Sequence, residues 1–219
     1  NTKYLAGFVG IAPANNPEVV VVMNLFDPKG PSGHGGATLC GPVVAAACIL
    51  PISFNDELIN DSKKLTEKKR NEAFKLIKDN AIAYGIGVVN ATEIDKINIY
   101  EASRKAMLLA LKNMNHDVDI IFTDCMPLTF NGIKANSIVK GDARFKNIAA
   151  ASILAKVTRD MLMDDYDKLY PQYDLKHNKG YGTKKHLEAL DKYGPIKGFH
   201  RFSYGPVLEA YNKDLKLKV

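Results

Sequence analysis

The stretch PVVAAACIL, residues 42–50, is an unbroken run of apolar side chains. Such a run is typical of a β-strand that is buried on both faces of a sheet. Two shorter β-rich runs, residues 83–89 (AYGIGVV) and residues 120–123 (IIFT), predict further strands. The stretch therefore predicts a sheet that is covered on both sides.

The segments that cover this sheet are predicted to be helices. Strand patterns dominate the first half of the chain and helical patterns the second, which indicates an α/β fold with a mixed β-sheet flanked by helices. Thr92 is the expected N-cap of the second helical region. The predicted helices are residues 66–81, 99–113, 147–170, 183–193 and 206–215.

The first 37 residues are predicted to form a β-hairpin and a loop. Residues 4–11 (YLAGFVGI) and 19–26 (VVVVMNLF) are β-rich runs joined by a proline-containing turn. Residues 27–37 (DPKGPSGHGGA) form a glycine-rich loop. We place the one domain boundary after residue 37, so that residues 38–219 form the larger part of a single folded unit.

The composition is that of a globular protein with a surplus of basic residues. Of 219 residues, 46% are hydrophobic and 25% are charged, and the net charge is +6. This balance favours a polyanionic partner, although many basic proteins bind none. Cys40, Cys48 and Cys125 are scattered, which favours reduced thiols and a cytoplasmic location. No apolar run reaches the roughly 18 residues of a membrane span and no signal peptide is visible, so we expect no membrane association.

Two aspartates stand where a metal ion could bind. Asp124 follows the strand at residues 120–123, and Asp142 follows a β-like run at residues 133–139. Residues at strand ends gather in the crevice where α/β sheets bind ligands, and carboxylate oxygens suit Mg²⁺. The alternative is that Asp124 caps a strand and that Asp142 makes a turn after Gly141.

Residues 140–160 (KGDARFKNIAAASILAKVTRD) place cations on a helix with an alanine face. Lys156 and Arg159 could contact phosphates there, whereas a buried, closely packed helix is the simpler interpretation. Lys63 could likewise hold a phosphate or lie on a solvated helix approach.

Three residues of the C-terminal third have equally open interpretations. Tyr181 lies in the tight turn KGYGT (179–183) and could stack on a sugar or base, or pack in the core. His200 and Arg201 could contact a phosphate or belong to a salt bridge.

Six stretches stand in a characteristic order and spacing. They are GPVVAAACIL (41–50), DSKKL (61–65), IIFTD (120–124), IVKGDARFKNIAAASILAKVTRD (138–160), KGYGTKKHLEALDKYGP (179–195) and HRFSYGPV (200–207). In these stretches the chain resembles ribonuclease HII. The resemblance implies an RNase H-like mixed β-sheet with a helical C-terminal extension. It also implies an enzyme that uses Mg²⁺ or Mn²⁺ to cleave RNA in RNA–DNA hybrids, or to cut on the 5′ side of a ribonucleotide embedded in DNA. Separately, we expect the protein to be a monomer, although the sequence leaves the oligomeric state open.

The resemblance assigns roles to the matching residues. Asp124 and Asp142 match the third and fourth metal-binding carboxylates of the family. Tyr181 matches the tyrosine that packs on the deoxyribose beyond the RNA–DNA junction, and Lys63 and Lys156 match basic positions near the substrate backbone. With the three candidates that rest on their chemistry alone, the predicted substrate contacts are Tyr181, Lys63, Lys156, Arg159, His200 and Arg201.

The stretch before Gly41 departs from the family. Ribonuclease HII sequences carry Asp-Glu-Ala-Gly-Arg-Gly there, whereas an ungapped alignment places residues 32–37 (SGHGGA) at these positions. Ser32 and Gly33 then replace the first two catalytic carboxylates, and Gly36 replaces the arginine of the segment that senses the 2′-hydroxyl. We therefore expect that activity could be reduced or lost, which leaves an inactive scaffold for hybrid or DNA as the alternative function.

Residues 3–37 resemble the C-terminal hairpin of a penicillin-binding transpeptidase domain instead. A chimera joined near residues 38–44 would explain both resemblances, with the strand at residues 19–26 replacing the first ribonuclease strand. Asp27 would then stand at the end of that strand, where the family has its first catalytic aspartate. Our hypothesis is that Asp27 partly restores the metal site.

Overall fold

The structure is a computed structural model that describes residues 19–24, 38–54, 56–59, 65–124, 126–138 and 145–217. The strands are β1 (Val19–Asn24), β2 (Val43–Ile49), β3 (Ala83–Val89), β4 (Ile120–Asp124), β5 (Thr129–Phe130), β6 (Ile133–Lys134) and β7 (Asn136–Ile138). The helices are α1 (Glu67–Asn80), α2 (Ala91–Met114), α3 (Lys146–Leu169), α4 (Leu175–Asn178), α5 (Lys184–Tyr193) and α6 (Gly205–Leu217), with a 3₁₀ turn at Pro171–Tyr173.

Five strands form one mixed sheet in the order β3-β2-β1-β4-β7. β1 is antiparallel to β2 and parallel to β4, with Val21 opposite Cys48 on one side and Phe122 on the other. β2 and β3 are antiparallel, and β4 and β7 are parallel. The strand that comes from the first 37 residues thus lies in the centre of the sheet.

The strand β2 confirms the prediction from its apolar run, because all of its residues are buried. Successive side chains of a strand point to opposite faces, and those of β2 enter two separate cores. Ala45 and Ala47 belong to the core that contains Met107 of α2. Ala46 belongs to the core that contains Ile153 of α3. Helices therefore cover both faces of the sheet, as the α/β prediction requires.

The helical C-terminal extension has a core of its own. It joins the segment just before β2 to the end of α3 and to the last three helices. Its buried members are Leu39, Cys40, Met163, Tyr173, Leu175, Ala189, Leu190, Phe199, Val207 and Ala210. Because Leu39 and Cys40 lead directly into β2, this core connects the extension to the edge of the sheet.

The structure corrects two local predictions. Thr92 is not the N-cap of α2; the Asn90 side chain accepts the hydrogen bond from the Glu93 amide, at 2.9 Å. A second cap interrupts the same helix at Asn98, whose φ of 68° breaks the helical geometry. The run predicted at residues 133–139 is divided into β6 and β7, because the Ala135 amide between them donates to Leu128 O instead.

The predictions about the cysteines, about membrane association and about residues 4–11 remain to be compared with the structure. Cys40 and Cys48 are free, buried thiols. Among the described helices, none combines the length and the apolar character needed to cross a bilayer. The other predicted hairpin strand, residues 4–11, and Cys125 lie outside the described residues.

Candidate active site at the sheet edge

One edge of the sheet gathers the chemistry that the sequence predicted. β1 and β4 run parallel and therefore end at the same edge, where the antiparallel β2 begins. Asp124 is the last residue of β4, and Pro42 directly precedes β2. In α/β sheets ligands bind in the crevice outside the carboxyl ends of the strands. The topology thus brings Asp124 and the entry to β2 to the edge where a ligand is expected.

The side chain of Asp124 is half-buried at this edge. Its neighbour Thr123 is fully buried, and the Thr123 hydroxyl donates to Met126 O at 2.5 Å. This bond connects the end of β4 to Met126, just after the strand. It holds the backbone at residue 124 so that the carboxylate stays at the end of β4.

A small cleft opens beside the entry to β2. Its lining includes Thr38, Pro42, Ile99, Arg159, Tyr181 and Arg201. The residues before β2 form one wall, which is hydrogen-bonded on two sides. The Leu39 amide donates to Gly180 O at 2.8 Å, and the Gly41 amide donates to Phe199 O at 2.9 Å. The two C-terminal motifs that the sequence singled out therefore meet on either side of this wall.

Tyr181 is half-buried in this cleft and is bridged to Thr38. The residue before it, Gly180, has φ of +87° and packs closely on Cys40 O, where a Cβ would come within 3.0 Å. Both the left-handed conformation and the close approach require glycine. The ring of Tyr181 is thereby placed at the cleft rather than in the core of the extension.

Arg159 and Arg201 are buried beneath the cleft, at 4% and 2% exposure. Arg159 donates to Pro42 O at 3.2 Å and to Lys179 O at 3.0 Å, and Arg201 donates to Gly41 O. Among the described residues, Nη2 of Arg159 has no hydrogen-bond partner. Burial, and then the charge of Arg201, lower the pKa of Arg159. Two cations held together by backbone carbonyls create a positive potential at the cleft.

Lys156 lies on α3 in a second charged group. Its ammonium contacts Asp160 Oδ1 at 2.5 Å, and burial lowers the pKa of Lys156 while Asp160 opposes that shift. Asp160 Oδ2 lies 3.8 Å from Arg70, which also donates to Leu65 O at 2.8 Å. This network joins α3 to the end of the DSKKL motif, whose first four residues lie outside the description.

The described residues contain one compact group of potential metal ligands, and its members are buried. Cys40, His186 and His200 offer ligand atoms that all lie within 4.8 Å of one another. His186 Nδ1 contacts Tyr181 O, a pure acceptor, so this nitrogen carries the proton. His200 Nδ1 accepts from the Ile196 amide and therefore carries none.

The tautomers of the two histidines complement each other. If both rings are neutral, His200 carries its proton on Nε2 and donates it to His186 Nε2, 3.2 Å away. A metal on His200 Nε2 would require a proton on Nδ1, where the Ile196 amide already points. The group is therefore a neutral hydrogen-bonded pair beside a thiol, and burial raises the pKa of that Cys40 thiol to about 12.

Acid is expected to destabilise the protein through this pair. Burial and the neighbouring His186 lower the pKa of His200 from 6.5 to about 3, and burial also lowers the pKa of His186. Below pH 6.5 these histidines are protonated in the unfolded chain but stay neutral in the folded protein. Their contribution to the unfolding free energy is therefore fully present above pH 6.5 and is lost as the pH decreases. Between pH 7 and 5.5, His200 should lower the unfolding free energy by about 1 kcal/mol, with a further loss from His186. Urea unfolding at both pH values measures this, and a larger stability at pH 5.5 would contradict it.

The structure places the predicted site residues in three groups. Asp124, Tyr181 and Arg159 lie at the sheet edge or its cleft, and Lys156 lies on α3. His200 and Arg201 are buried and hydrogen-bonded within the protein, to groups other than carboxylates, so neither belongs to a described salt bridge. The predicted residues Asp27, Asp142 and Lys63 lie outside the described residues.

Sequence reasoning missed His186 and Asp160. Each lies within a motif that was quoted for its resemblance, but neither was predicted to have a role. Their partners are Tyr181 and His200 for His186, and Lys156 and Arg70 for Asp160. The i,i+4 spacing of Lys156 and Asp160 on one helix could have suggested their ion pair. No helical spacing links His186 to Tyr181, which precedes α5.

Comparison with known proteins agrees with this geometry. The family model described as ribonuclease HII matches residues 33–207. Ribonuclease HII of Listeria innocua is 52% identical over 176 residues, which are 80% of this chain and 67% of that protein. Ribonuclease HII of Bacillus subtilis is 50% identical over 173 residues, which are 79% of this chain and 67% of that protein.

Solved structures show the same fold. The crystal structure of ribonuclease H2 from Pyrococcus horikoshii superimposes with a TM-score of 0.72 at 21% identity. The match covers 91% of this chain and 99% of that one. The prediction of an RNase H-like mixed sheet with flanking helices is thereby confirmed.

The comparisons do not support the transpeptidase chimera. The ribonuclease HII match already begins at residue 33, inside the stretch that was likened to a transpeptidase hairpin. In the sheet, β1 is hydrogen-bonded to both β2 and β4, which is the position that the chimera hypothesis also gave to residues 19–26, so it is the family match, and not the sheet, that argues against the chimera.

Proposed function

The chain belongs to the ribonuclease HII family, and we propose that it is a metal-dependent endonuclease that cleaves RNA in RNA–DNA hybrids or at a ribonucleotide embedded in DNA. The observation that carries the proposal is the arrangement at the end of the sheet where β1 and β4 finish and β2 begins. There, Asp124 ends β4 where β2 begins beside a cleft with an aromatic ring and buried cations. The carboxylate suits a divalent metal, and the positive charge of the buried arginines favours a phosphate backbone at this surface.

The metal ligands in this proposal are Asp124, Asp142 and Asp27. Ile138 pairs with Asp124, and Asp142 follows it by four residues, a reach of at most about 14 Å. On the other side, Val22 pairs with Thr123, so Met23 comes level with Asp124 and Asp27 is again four residues away. Carboxylate oxygens fit Mg²⁺ or Mn²⁺. A bound divalent ion would activate water and neutralise charge that develops on the scissile phosphate.

Tyr181, Lys156 and Lys63 are proposed to contact the nucleic acid. Tyr181 lines the cleft and is only half-buried, so its side chain is partly open to a sugar of the substrate. Lys156 is held by Asp160 in a fixed position, which lowers the entropy lost when it meets a phosphate. The net charge of +6 strengthens the attraction of the polyanion as a whole.

Arg159, Arg201 and His200 support the cleft in this proposal. The Nη2 group of Arg159 is buried without a partner among the described residues, so Arg159 acts on the cleft through its charge and through its hydrogen bonds to Pro42 O and Lys179 O. Arg201 and His200 are buried and act through the backbone around Cys40 and Gly41. The proposal also takes the protein to be a monomer in the reducing cytoplasm, where the thiols of Cys40 and Cys48 would remain free.

Cleavage of a defined substrate tests the function. A DNA duplex with a single embedded ribonucleotide is incubated with the protein and Mg²⁺, and then with Mn²⁺. We expect a cut on the 5′ side of the ribonucleotide, no cut in the all-DNA duplex, and none with EDTA. Asp142→Asn serves as the inactive control, because an amide provides no negative charge for the metal.

The same experiment decides between enzyme and scaffold. The stretch at residues 32–37 lacks the carboxylates and the arginine of the family, which favours reduced catalysis. If the protein binds the duplex in a salt-sensitive manner but cleaves it with neither metal, the protein is an inactive nucleic-acid-binding scaffold and not an enzyme. Absence of both binding and cleavage in a cooperatively folded protein would overturn both.

A further inference from the structure

We propose that His186 is a positioning residue for Tyr181, an inference that rests on the proposed function. His186 lies in the first turn of α5 and is completely buried. Its Nδ1–H donates to Tyr181 O at 2.9 Å, and its Nε2 accepts from His200 at 3.2 Å. The His186 ring thus connects Tyr181, which lines the cleft, with His200.

The contacts around Tyr181 explain why such a connection is needed. Tyr181 follows Gly180, and its amide donates to Asn178 O at 2.9 Å. Its carbonyl receives the Thr183 amide at 2.8 Å from within the same short turn. The Tyr181 carbonyl thus accepts one hydrogen bond from the backbone of its own turn and one from the His186 side chain in the first turn of α5.

His200 gives the His186 ring one orientation. The Ile196 amide occupies His200 Nδ1, which leaves the Nε2 proton for His186. A reversed His186 tautomer would place two protons between the rings and remove the donor from Tyr181 O. The pairing therefore selects the tautomer that holds Tyr181. Tyr173 and Cys40 border the pair and are uncharged near neutrality, since burial raises the pKa of each to about 12.

The tautomers can be measured in the unmodified protein. Long-range ¹H–¹⁵N NMR spectra distinguish a protonated Nδ1 from a protonated Nε2. We expect His186 to be protonated on Nδ1 and His200 on Nε2 at pH 7. An Nε2 proton on His186 would overturn the proposal, because the Tyr181 carbonyl would then have no donor from this ring.

Two substitutions of His186 test its Nδ1 and Nε2 hydrogen bonds separately. The amide of asparagine reaches the position of Nδ1, and that of glutamine reaches the position of Nε2. His186→Asn should therefore keep the bond to Tyr181, whereas His186→Gln should keep only the contact with His200. His177→Gln is the matched control, since the side chain of His177 is 75% exposed.

Fluorescence shows whether the ring at position 181 has moved. The chain contains no tryptophan, so Tyr181→Trp introduces a single probe. Combining it with His186→Gln should raise the acrylamide quenching constant by about twofold through local opening of the turn. His186→Asn and His177→Gln should leave the constant unchanged. Equal quenching in the glutamine and asparagine variants would overturn the positioning role; if His186→Gln fails to fold, the NMR result decides.

A double-mutant cycle connects the position to catalysis. Misplacement of a substrate-orienting group costs roughly ten- to a hundredfold in rate, so His186→Gln should lower kcat/KM by that factor. The same change in a Tyr181→Ala background should have little further effect, because His186 acts through Tyr181. Additive losses would indicate a general structural role instead and overturn the proposal. The NMR and fluorescence results do not depend on cleavage, so a protein that fails to cut RNA refutes the proposed function alone.

Discussion

Asp124→Asn is expected to lower kcat/KM for cleavage at an embedded ribonucleotide by roughly a thousandfold. The substitution keeps the size of the side chain and removes its negative charge at the end of β4. Loss of a metal ligand removes several kcal/mol of transition-state stabilisation, and about 4 kcal/mol corresponds to a factor of a thousand. Because the side chain is half-buried at the sheet edge, the melting temperature should change little.

Direct metal binding checks the cause of this loss. Titration with Mn²⁺, followed by electron paramagnetic resonance, should show weaker binding by Asp124→Asn than by the wild type. Asp165→Asn is the matched control, because the Asp165 side chain is 68% exposed on α3. The metal-ligand role of Asp124 would be refuted by a variant that cleaves within about threefold of the wild type, a difference below 1 kcal/mol.

Gly87→Ala is expected to destabilise the fold by about 3–5 kcal/mol, a large part of the 5–15 kcal/mol that stabilises a typical domain. A Cβ on Gly87 would lie 1.9 Å from Ala106 O and 2.7 Å from Ala110 N, both in the backbone of α2. A flexible side chain could move aside, but a helix backbone cannot do so without separating from the sheet. Urea unfolding measures the change.

The contrast with an unhindered glycine tests this explanation. Gly205 begins α6, and a Cβ there meets nothing within 4 Å. Gly205→Ala should therefore change the stability by less than about 1 kcal/mol. A similarly small change in stability for Gly87→Ala would show that the packing of α2 on β3 does not require a glycine at residue 87.

Displacement of α2 should also affect the site. Its residue Asp95 accepts hydrogen bonds from the Phe202 amide at 2.8 Å and the Ser203 amide at 2.9 Å, directly after the buried Arg201. Ile99 of the same helix lines the cleft. Any folded fraction of Gly87→Ala is therefore expected to cleave less efficiently than the wild type.

Much of the fold could be predicted because its signals are local. The apolar run at residues 42–50 became the fully buried strand β2. Thr66 and Thr183 cap α1 and α5 at the predicted ends, since an N-cap depends only on the next three residues. Asp124 stands at the end of β4 as predicted, because the end of a strand is marked in the sequence itself.

The sequence was less informative where a contact depends on distant residues. His200 and Arg201 had two surface interpretations, a phosphate contact or a salt bridge. Arg201 instead donates to Gly41 O across 160 positions of the chain, and His200 pairs with His186. Burial of a polar side chain depends on such partners, which have no signature beside the residue itself.

The sequence alone determined the α/β class, the order of the elements, the family and the carboxylate at the end of β4, because periodicity, caps and motifs are properties of neighbouring residues. Only the tertiary structure decided that β1 occupies the centre of the sheet, that two buried arginines lie beneath the cleft, and that His186 holds Tyr181. The physical reason is that each of these features depends on hydrogen bonds and burial between segments that come together only when the chain has folded.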